Sequence, residues 1–449
     1  MDNSDPQVLI IGAGISGLVL AQHLQRLGVR FEIFDRDSAL DARNGGWGLT
    51  LHWALPILRD LLPTHLVDKF PGTFVNKDAS SRGDVGSFQF FNLKSGEALY
   101  SIPAQERIRV NRGRLRELLT SGINVHVGRY LEVQSSTTRL LLTSSQWDKT
   151  LLNIESSVES ITAYFDDGTS YTGRLLVACD GARSRARQIL YPNDCQMNAL
   201  PVQLLGASPL YKPEEMGGAQ SIDPYIFQGS HPETDIFMFF SCWSLPLPVL
   251  CSVANFIVLD TPSNYEESSR DQYHCQIIVS WADSKDITLP SDNSDRVALM
   301  KKLTDNWAEP FRSLVQNLPE DIEARSIRVE DWLFQPGRTN VHARAVTLGD
   351  AAHTMTMFRG EGANNAIYDV LDLVKRVDMR NSNRSFEFEA LSTSLAAFEK
   401  DIFARVEPSV LKSRQACLDA HQFSKIAGSP LVTERKIQVT QETRAETEP

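Results

Sequence analysis

An apolar strand that runs straight into three spaced glycines constrains this chain more than any other feature. Residues 7–17 read Gln-Val-Leu-Ile-Ile-Gly-Ala-Gly-Ile-Ser-Gly, with Gly12, Gly14 and Gly17 in Gly-x-Gly-x-x-Gly register. A helical pattern from Leu18 to Leu27 follows, and then a second apolar strand, Phe31 to Phe34, ending at Asp35. This is one βαβ unit in which each glycine has its own reason. Gly12 makes the tight turn, Gly14 lets the backbone approach a pyrophosphate, and Gly17 lets helix and strand pack closely. The helix start offers unpaired N–H groups and a positive dipole end to phosphate. Asp35 lies 18 residues past Gly17, near the distance expected of a carboxylate that bonds a ribose. A glycine-punctuated turn in an ordinary α/β sheet is the plain alternative, and it leaves Asp35 without a purpose. The motif alone does not decide between NAD(P) and FAD, since both carry ADP.

At 449 residues the chain exceeds one compact core and implies about two domains. Its net charge of −11 argues against a sequence-independent hold on nucleic acid. The six cysteines (Cys179, Cys195, Cys242, Cys251, Cys275, Cys417) are scattered with no Cys-x-x-Cys pair, as for free thiols in a reducing compartment, and no metal site is expected. The N-terminus carries Asp2 and Asp5 where a secretory signal has positive charge. The best membrane candidate, Leu245 to Leu259, is too short and contains Pro246, Pro248 and Asn255. These features read as a soluble cytoplasmic protein without a transmembrane segment. They leave the oligomeric state open.

Further along, the loop Asn44-Gly45-Gly46-Trp47-Gly48-Leu49 leads into an apolar helix near Trp53 to Leu62. A helix begins after Asn111, whose side chain is placed to cap it. Ile161 to Phe165 followed by Asp166-Asp167-Gly168-Thr169 reads as an antiparallel hairpin. Leu175 to Cys179 is a continuous apolar run, as in a strand buried on both faces. Between 200 and 290 the strands Tyr225 to Phe227, Ile236 to Trp243 and His274 to Trp281 are aromatic and β-branched, which marks a second sheet. Helices are predicted at 294–317, 362–376 and Leu395 to His421.

Two later segments answer the first motif. Cys179-Asp180-Gly181-Ala182-Arg183-Ser184 sits at a strand end and opens a helix; so does Leu348-Gly349-Asp350-Ala351-Ala352-His353, with Arg359-Gly360-Glu361-Gly362-Ala363-Asn364 opening the next helix. Ligands of open α/β sheets bind outside the carboxyl ends of the strands. Three such ends carrying glycine and aspartate in this order make coincidence a poor account. Here the chain resembles the group A FAD-dependent monooxygenases, with the para-hydroxybenzoate hydroxylase fold. Gly46 to Trp53 and Phe358 to Asn364 are in the manner of fungal secondary-metabolite members.

The resemblance implies an α/β fold: a Rossmann-like FAD-binding domain (1–72, 101–190 and 326–378) interleaved with a β-sheet substrate domain (73–100 and 191–325). A C-terminal helical segment (379–432) and a disordered tail (433–449) follow. By resemblance Gly12, Gly14 and Gly17 hold the ADP portion of non-covalent FAD, and Asp35 bonds its ribose. Arg112, in Arg112-Gly113-Arg114-Leu115, binds FAD; Asp180 lies by the pyrophosphate; Asp350 bonds the ribityl chain. Gly46 and Gly48 flank the isoalloxazine edge, and the helix start at Gly360, Gly362 and Ala363 faces its pyrimidine ring. With a single Gly-x-Gly-x-x-Gly, NADPH or NADH is expected as a transient co-substrate, and Arg43, Arg183 and Arg187 are candidates to steer its phosphates. The implied activity uses O2 to place one oxygen atom, by hydroxylation or epoxidation, on an apolar aromatic or unsaturated metabolite. A flavin reductase or oxidase on the same fold, or a non-catalytic FAD-binding protein, remain as alternatives.

No catalytic side chain is identified. His52 is a weak acid–base candidate beside a packing role, and His353 reads as structural. Phe227, Phe237, Phe239, Phe240 and Trp243 divide between pocket and sheet core. Arg270 is the one arginine between Pro201 and Pro290, too few to hold a small benzoate in that domain. One departure stands out: Met357 replaces the proline usual before Phe358-Arg359-Gly360, which questions how the loop is held rigid.

Overall fold

The strand Val8–Ile11 lies inside a six-stranded parallel sheet whose order is Ala345–Thr347, Leu175–Ala178, Val8–Ile11, Phe31–Phe34, Ser144–Gln146, Asn124–His126. The computed structural model describes residues 6–40, 42, 48–102, 106–126, 144–216, 218–244, 272–333, 340–380 and 386–436. Val8–Ile11 and Leu175–Ala178 are buried at every position because helices and a second layer cover both faces, and that explains their unbroken apolar sequences. On one face the helix Ile15–Arg26 is buried from Ile15 to Leu24, wedged against the helices Arg112–Thr120 and Gly362–Arg376. On the other the three-stranded sheet Leu151–Ser156, Ile161–Phe165, Ser170–Gly173 packs through Ile154, Ile161 and Phe165 against Leu9, Phe34 and Leu176.

Register is what brings the motifs together. Ile11 pairs with Ala178 on one side and Phe34 on the other, and Ala178 pairs with Thr347. Four neighbouring strands therefore end level. Gly12, Asp35, Asp180 and Asp350 emerge side by side along one edge of the sheet.

The second sheet has eight strands and contains Gln89–Asn92, Ile226–Ser230, Phe237–Ser244 and Tyr273–Ala282. Its strand period of two sorts the aromatics. Phe240 stacks on Phe227 at 4.7 Å in a core shared with Phe91 and Phe311, whereas Phe237 faces the other way and meets Phe358 at 5.1 Å. Phe227 and Phe240 are thus sheet core, and Phe237 and Phe239 belong to the face turned toward the motif loops. Nothing is described of the Trp243 side chain.

Three helix boundaries differ from expectation. The helix predicted over 294–317 is two, Asn293–Leu303 and Phe311–Gln316, with Pro310 before the second, where a missing N–H is harmless. The last helix starts at Phe388 and runs to Ala420, because tertiary burial of Leu391 outweighs its weak local signal. The helix predicted from Trp53 covers Leu55–Leu61. Residues 433–436, read as the start of the tail, are packed: Arg435 is buried and donates to the carbonyls of Leu431 and Thr433. Residues 437–449 lie outside the described residues, as does the span 245–271. Among the described residues no helix is long and apolar enough to cross a membrane.

Candidate active site

The three glycines of the first motif are not equivalent. A Cβ on Gly12, which has φ +105°, would lie 2.4 Å from the Cys179 carbonyl oxygen, and one on Gly17 would lie 2.0 Å from the Gly12 oxygen. The fold itself forbids side chains there. A Cβ on Gly14 would meet only the Cys179 oxygen at 3.9 Å, an ordinary contact. The packing of the protein itself does not require a glycine at 14. The helix that follows has neither a side-chain cap nor an acidic residue in its first turn, and the same is true of Gly362–Arg376. By contrast Asn111 caps Arg112–Thr120 through Arg114 N, as its sequence position suggests. Two uncapped helix starts facing the same strand ends leave N–H groups for an anion.

Asp35 is nearly buried and already engaged. Its Oδ2 accepts from Ala13 N at 2.7 Å and from Arg116 at 3.3 Å, and its Oδ1 accepts from Asp37 N at 2.9 Å. Among the described residues one lone pair on Oδ1 remains for a further donor. Arg116 also donates to the Ala13 carbonyl and to Asp37, clamping the glycine turn to the next strand end. Arg116, which lies one turn beyond Arg112 on the same helix, carries no motif in the sequence that would single it out. Arg112 is exposed at that helix start and acts electrostatically on Asp350.

Asp180 caps its own helix. Its carboxylate accepts from Ser184 Oγ, Arg185 N and Ala186 N. Arg187, expected to steer a visiting phosphate, is 1% exposed and instead donates to the carbonyls of Asp350 and Ala351 while lying over the Trp332 ring at 4.4 Å. It joins the second motif to the third, and burial removes it from any encounter with a free dinucleotide. Arg183 is exposed. Arg43, Gly46 and Trp47 lie outside the described residues. Gly48 begins the strand Gly48–Leu51, with the Arg109 guanidinium 2.7 Å from where a Cβ would stand.

Asp350 is exposed at the strand end, and its Oδ1 lies 3.5 Å from the Cβ position of Gly362. Desolvation by the surrounding protein pushes its carboxyl pKa up, against the pull of His353, Arg112 and Arg187. Its carboxylate accepts no hydrogen bond among the described residues. The neighbouring loop is pinned from behind by a residue the sequence did not reveal. Asp369, fully buried, accepts from Gly349 N at 2.8 Å, from His353 Nε2 at 2.7 Å and from Arg405. His353 and Arg405 hold its carboxyl below the usual range despite burial. His353 is therefore structural. The available signal was Asn365 and Asp369, polar side chains four apart among apolar neighbours on one helix face; Arg405 bonds both.

Gly360, at φ +65°, has open space where a Cβ would stand, and Ala363 is partly buried one residue into the helix. Met357 is 41% exposed, and the rigidity its proline would give comes from hydrogen bonds. Thr356 Oγ1 bonds Ser413 on the long helix at 2.7 Å, Thr354 Oγ1 donates to the Asp350 carbonyl, and Arg359 is held by Glu361 at 2.6 Å and by the segment 430–434.

His52 is 6% exposed and meets Asn364 twice: its N–H donates to Asn364 Oδ1 at 3.0 Å, and Asn364 Nδ2 stands 3.2 Å from its Nε2. Burial, then the charges of Arg435, Arg359 and Arg107, push its pKa down to about 3, with the Gly360 carbonyl opposing. His52 is neutral at working pH and is no cationic acid. His421, bonded to Ser280 and Cys417, is pushed down by burial to about 4. Both folded pKa values lie below the unfolded 6.5, so the unfolded chain takes up protons that the folded chain refuses. Stability is full above pH 6.5 and drains as pH falls toward 4. Melting temperature should drop across that window, and the drop should shrink in His421→Gln; an unchanged pH slope would contradict this assignment.

Residues 10–52 match the family described as "NAD(P)-binding Rossmann-like domain". A protein of Arthroderma benhamiae named "Probable FAD-dependent monooxygenase" is 38% identical over 449 residues, spanning 96% of both chains. The chain belongs to the FAD-dependent monooxygenases. A second relative, FAD-dependent monooxygenase dbaB of Emericella nidulans, is 34% identical over 82% of this chain and 86% of its own. Among solved structures, 2,6-dihydroxypyridine-3-hydroxylase from Arthrobacter nicotinovorans shares the fold with TM-score 0.66 at 16% identity, covering 97% of this chain and 98% of that one. HpxO of Klebsiella pneumoniae, complexed with FAD and uric acid, does so with TM-score 0.64 at 17% identity over 93% and 89%. The resemblance read from the three motifs, and the fold it implied, stand. For an FAD-dependent monooxygenase the residues at these strand ends fit the cofactor: a glycine free of internal need at 14, two uncapped helix starts, and an Asp350 carboxylate that has no donor among the described residues.

Proposed function

We propose that this monooxygenase holds one non-covalent FAD along the level strand ends and, with NADPH or NADH and O2, hydroxylates or epoxidises an apolar aromatic or unsaturated metabolite. The observation that carries the placement is the in-register ending of four neighbouring strands, which brings Gly12, Asp35, Asp180 and Asp350 to one edge. In this reading Gly14 and the helix start behind it take the pyrophosphate, and the free lone pair of Asp35 takes the adenosine ribose. Asp350 accepts from the ribityl hydroxyls, and the Gly362 helix start faces the flavin pyrimidine ring, where its dipole favours negative charge. Gly46, Gly48, Gly360 and Ala363 let backbone approach the ring system, Arg112 supplies positive charge beside Asp350, and Asp180 fixes the loop that borders the pyrophosphate. Bound FAD supplies the electron transfer from the nicotinamide and the activation of oxygen. The protein's own part is to bind, to exclude water and to orient the substrate; Phe237 and Phe358, buried against each other, fasten the loop before the Gly362 helix to the second sheet.

Flavin content tests the placement. Purified protein should carry about one FAD per chain, released entirely by acid precipitation, since three separate motifs grip one long ligand. Asp350→Ala should weaken FAD binding by about 1.5–3 kcal/mol, the range for a hydrogen bond to a charged group, without changing the melting temperature of the apoprotein. Flavin retained in the acid pellet, or Asp350→Ala holding FAD as tightly as wild type, would show the site is misplaced.

A further inference from the structure

The loop between the Asp350 strand end and the Gly362 helix start carries two methionines, Met355 and Met357, and its backbone sorts them from their neighbours. Thr354 donates to the Asp350 carbonyl, Thr356 bonds Ser413, and Phe358 packs on Phe237 at 5.1 Å and on His421 at 5.6 Å. Those three side chains are buried, and in extended backbone the alternate ones point the other way. Exposure follows the same period of two: Met355 is partly buried and Met357 is 41% exposed. The loop is fastened by its even-numbered residues and shows its thioethers on the free side.

Met355 ties this side of the loop to the site. Its Cγ lies 3.7 Å from where a Cβ of Gly362 would stand, and Asp350 Oδ1 lies 3.5 Å from the same point. A thioether, a carboxylate and an uncapped helix start thus share one small space, the space assigned above to the flavin. The other described methionines are placed differently. Met216, Met238 and Met300 are fully buried, Met379 is 2% exposed, and the sulfur of the partly buried Met197 is engaged by Arg187 at 3.1 Å. Packing does not explain methionine at an exposed position, where an unbranched apolar chain has little to fill. What methionine adds over leucine is a sulfur lone pair, which peroxide oxidises. An FAD-dependent monooxygenase brings O2 and electrons to this edge, and when no substrate takes the oxygen the two-electron product of O2 is hydrogen peroxide.

We propose that Met355 and Met357 form an oxygen-accepting pair, a modification site that takes the oxygen of hydrogen peroxide made at this edge in the absence of substrate and becomes methionine sulfoxide. In the step a sulfur lone pair attacks one peroxide oxygen, the O–O bond breaks and an S–O bond forms. The second oxygen leaves as water with both protons; the sulfide loses two electrons and the peroxide gains them. The pair rests on the FAD placement proposed above and goes beyond it, since it gives the loop its own product. It meets the oxidant ahead of the buried sulfurs of the second sheet, those of Met216, Met238 and Cys275.

The test uses the full-length FAD-loaded protein without substrate, reduced by light and EDTA under argon and then opened in the dark to oxygen-18 gas. Photoreduction needs no nicotinamide, so the result does not depend on how fast the flavin accepts hydride. Trypsin cuts after Arg344 and Arg359 and isolates both methionines on one peptide that holds no third. Over repeated cycles that peptide should gain oxygen-18, which fragmentation places on Met355 and Met357, while the Met197 peptide stays unlabelled. Sulfoxide formed during handling carries oxygen-16 and is told apart by mass. Catalase in the solution should leave the label in place, because the peroxide reacts before it escapes. No label on the loop, label that catalase abolishes, or equal label on Met197 overturns the pair, while a yellow protein leaves the functional reading intact. A protein that takes up no FAD overturns the functional reading instead.

Discussion

Gly14→Val should give a folded protein that carries no flavin. The substitution adds side-chain volume where the nearest protein atom to a Cβ is 3.9 Å away, so the apoprotein loses little. The same bulk occupies the space that a pyrophosphate needs and screens the first amides of the helix Ile15–Arg26. Losing even two charge-assisted hydrogen bonds, each about 1.5–3 kcal/mol, weakens FAD on the order of a hundredfold or more. Gly17→Val is the contrast. Its Cβ would stand 2.0 Å from the Gly12 oxygen, so helix and strand must part and the fold itself fails. Thermal melting of the apoprotein and visible absorbance after incubation with FAD separate the two. Wild-type flavin content in Gly14→Val would put the pyrophosphate elsewhere.

Asp369→Ala should cost about 3–5 kcal/mol of stability, the range for breaking a buried ion pair. One carboxylate there satisfies Gly349 N, His353 and Arg405 at full burial, and its removal strands all three. Because the Asp369 pKa is held down in the folded state, its contribution is present above the unfolded carboxyl range and is lost as pH falls through the folded value. The loop that carries Asp350 is anchored through Gly349, so flavin affinity should fall along with stability. Urea unfolding of the variant with a loss under about 1 kcal/mol would show that the network is not a buried pair in solution.

Much of this was legible in the chain before any coordinates. The parallel core announced itself because Val8 to Ile11 and Leu175 to Ala178 are apolar at consecutive positions, as strands covered on both faces must be. Asn111 as a cap and Ile161 to Phe165 as a hairpin strand were local signals with local causes. Gly12, Gly14 and Gly17 could be assigned separate duties, but only coordinates show that two answer to the fold and one does not. What stayed hidden depends on contacts far apart in sequence. Asp369 meets Arg405 across 36 residues and Asp35 meets Arg116 across 81. Arg187 reads as a free cation in sequence and proves to be a buried brace. The arginine-poor stretch at 200–290 suggested a pocket without cations. Arg107, Arg359 and Arg435 reach a small cavity beside His52 from three other segments, one of them read as tail.

Turnover under oxygen-18 gas tests the whole account most directly. A metabolite found by its stimulation of NADPH or NADH oxidation is converted by the FAD-loaded protein, and the product is weighed by mass spectrometry. The account predicts one labelled oxygen atom in the product, drawn from the gas and not from water. Product formed with no label, or hydrogen peroxide as the sole fate of the oxygen, would contradict it and leave a reductase or an oxidase on this fold.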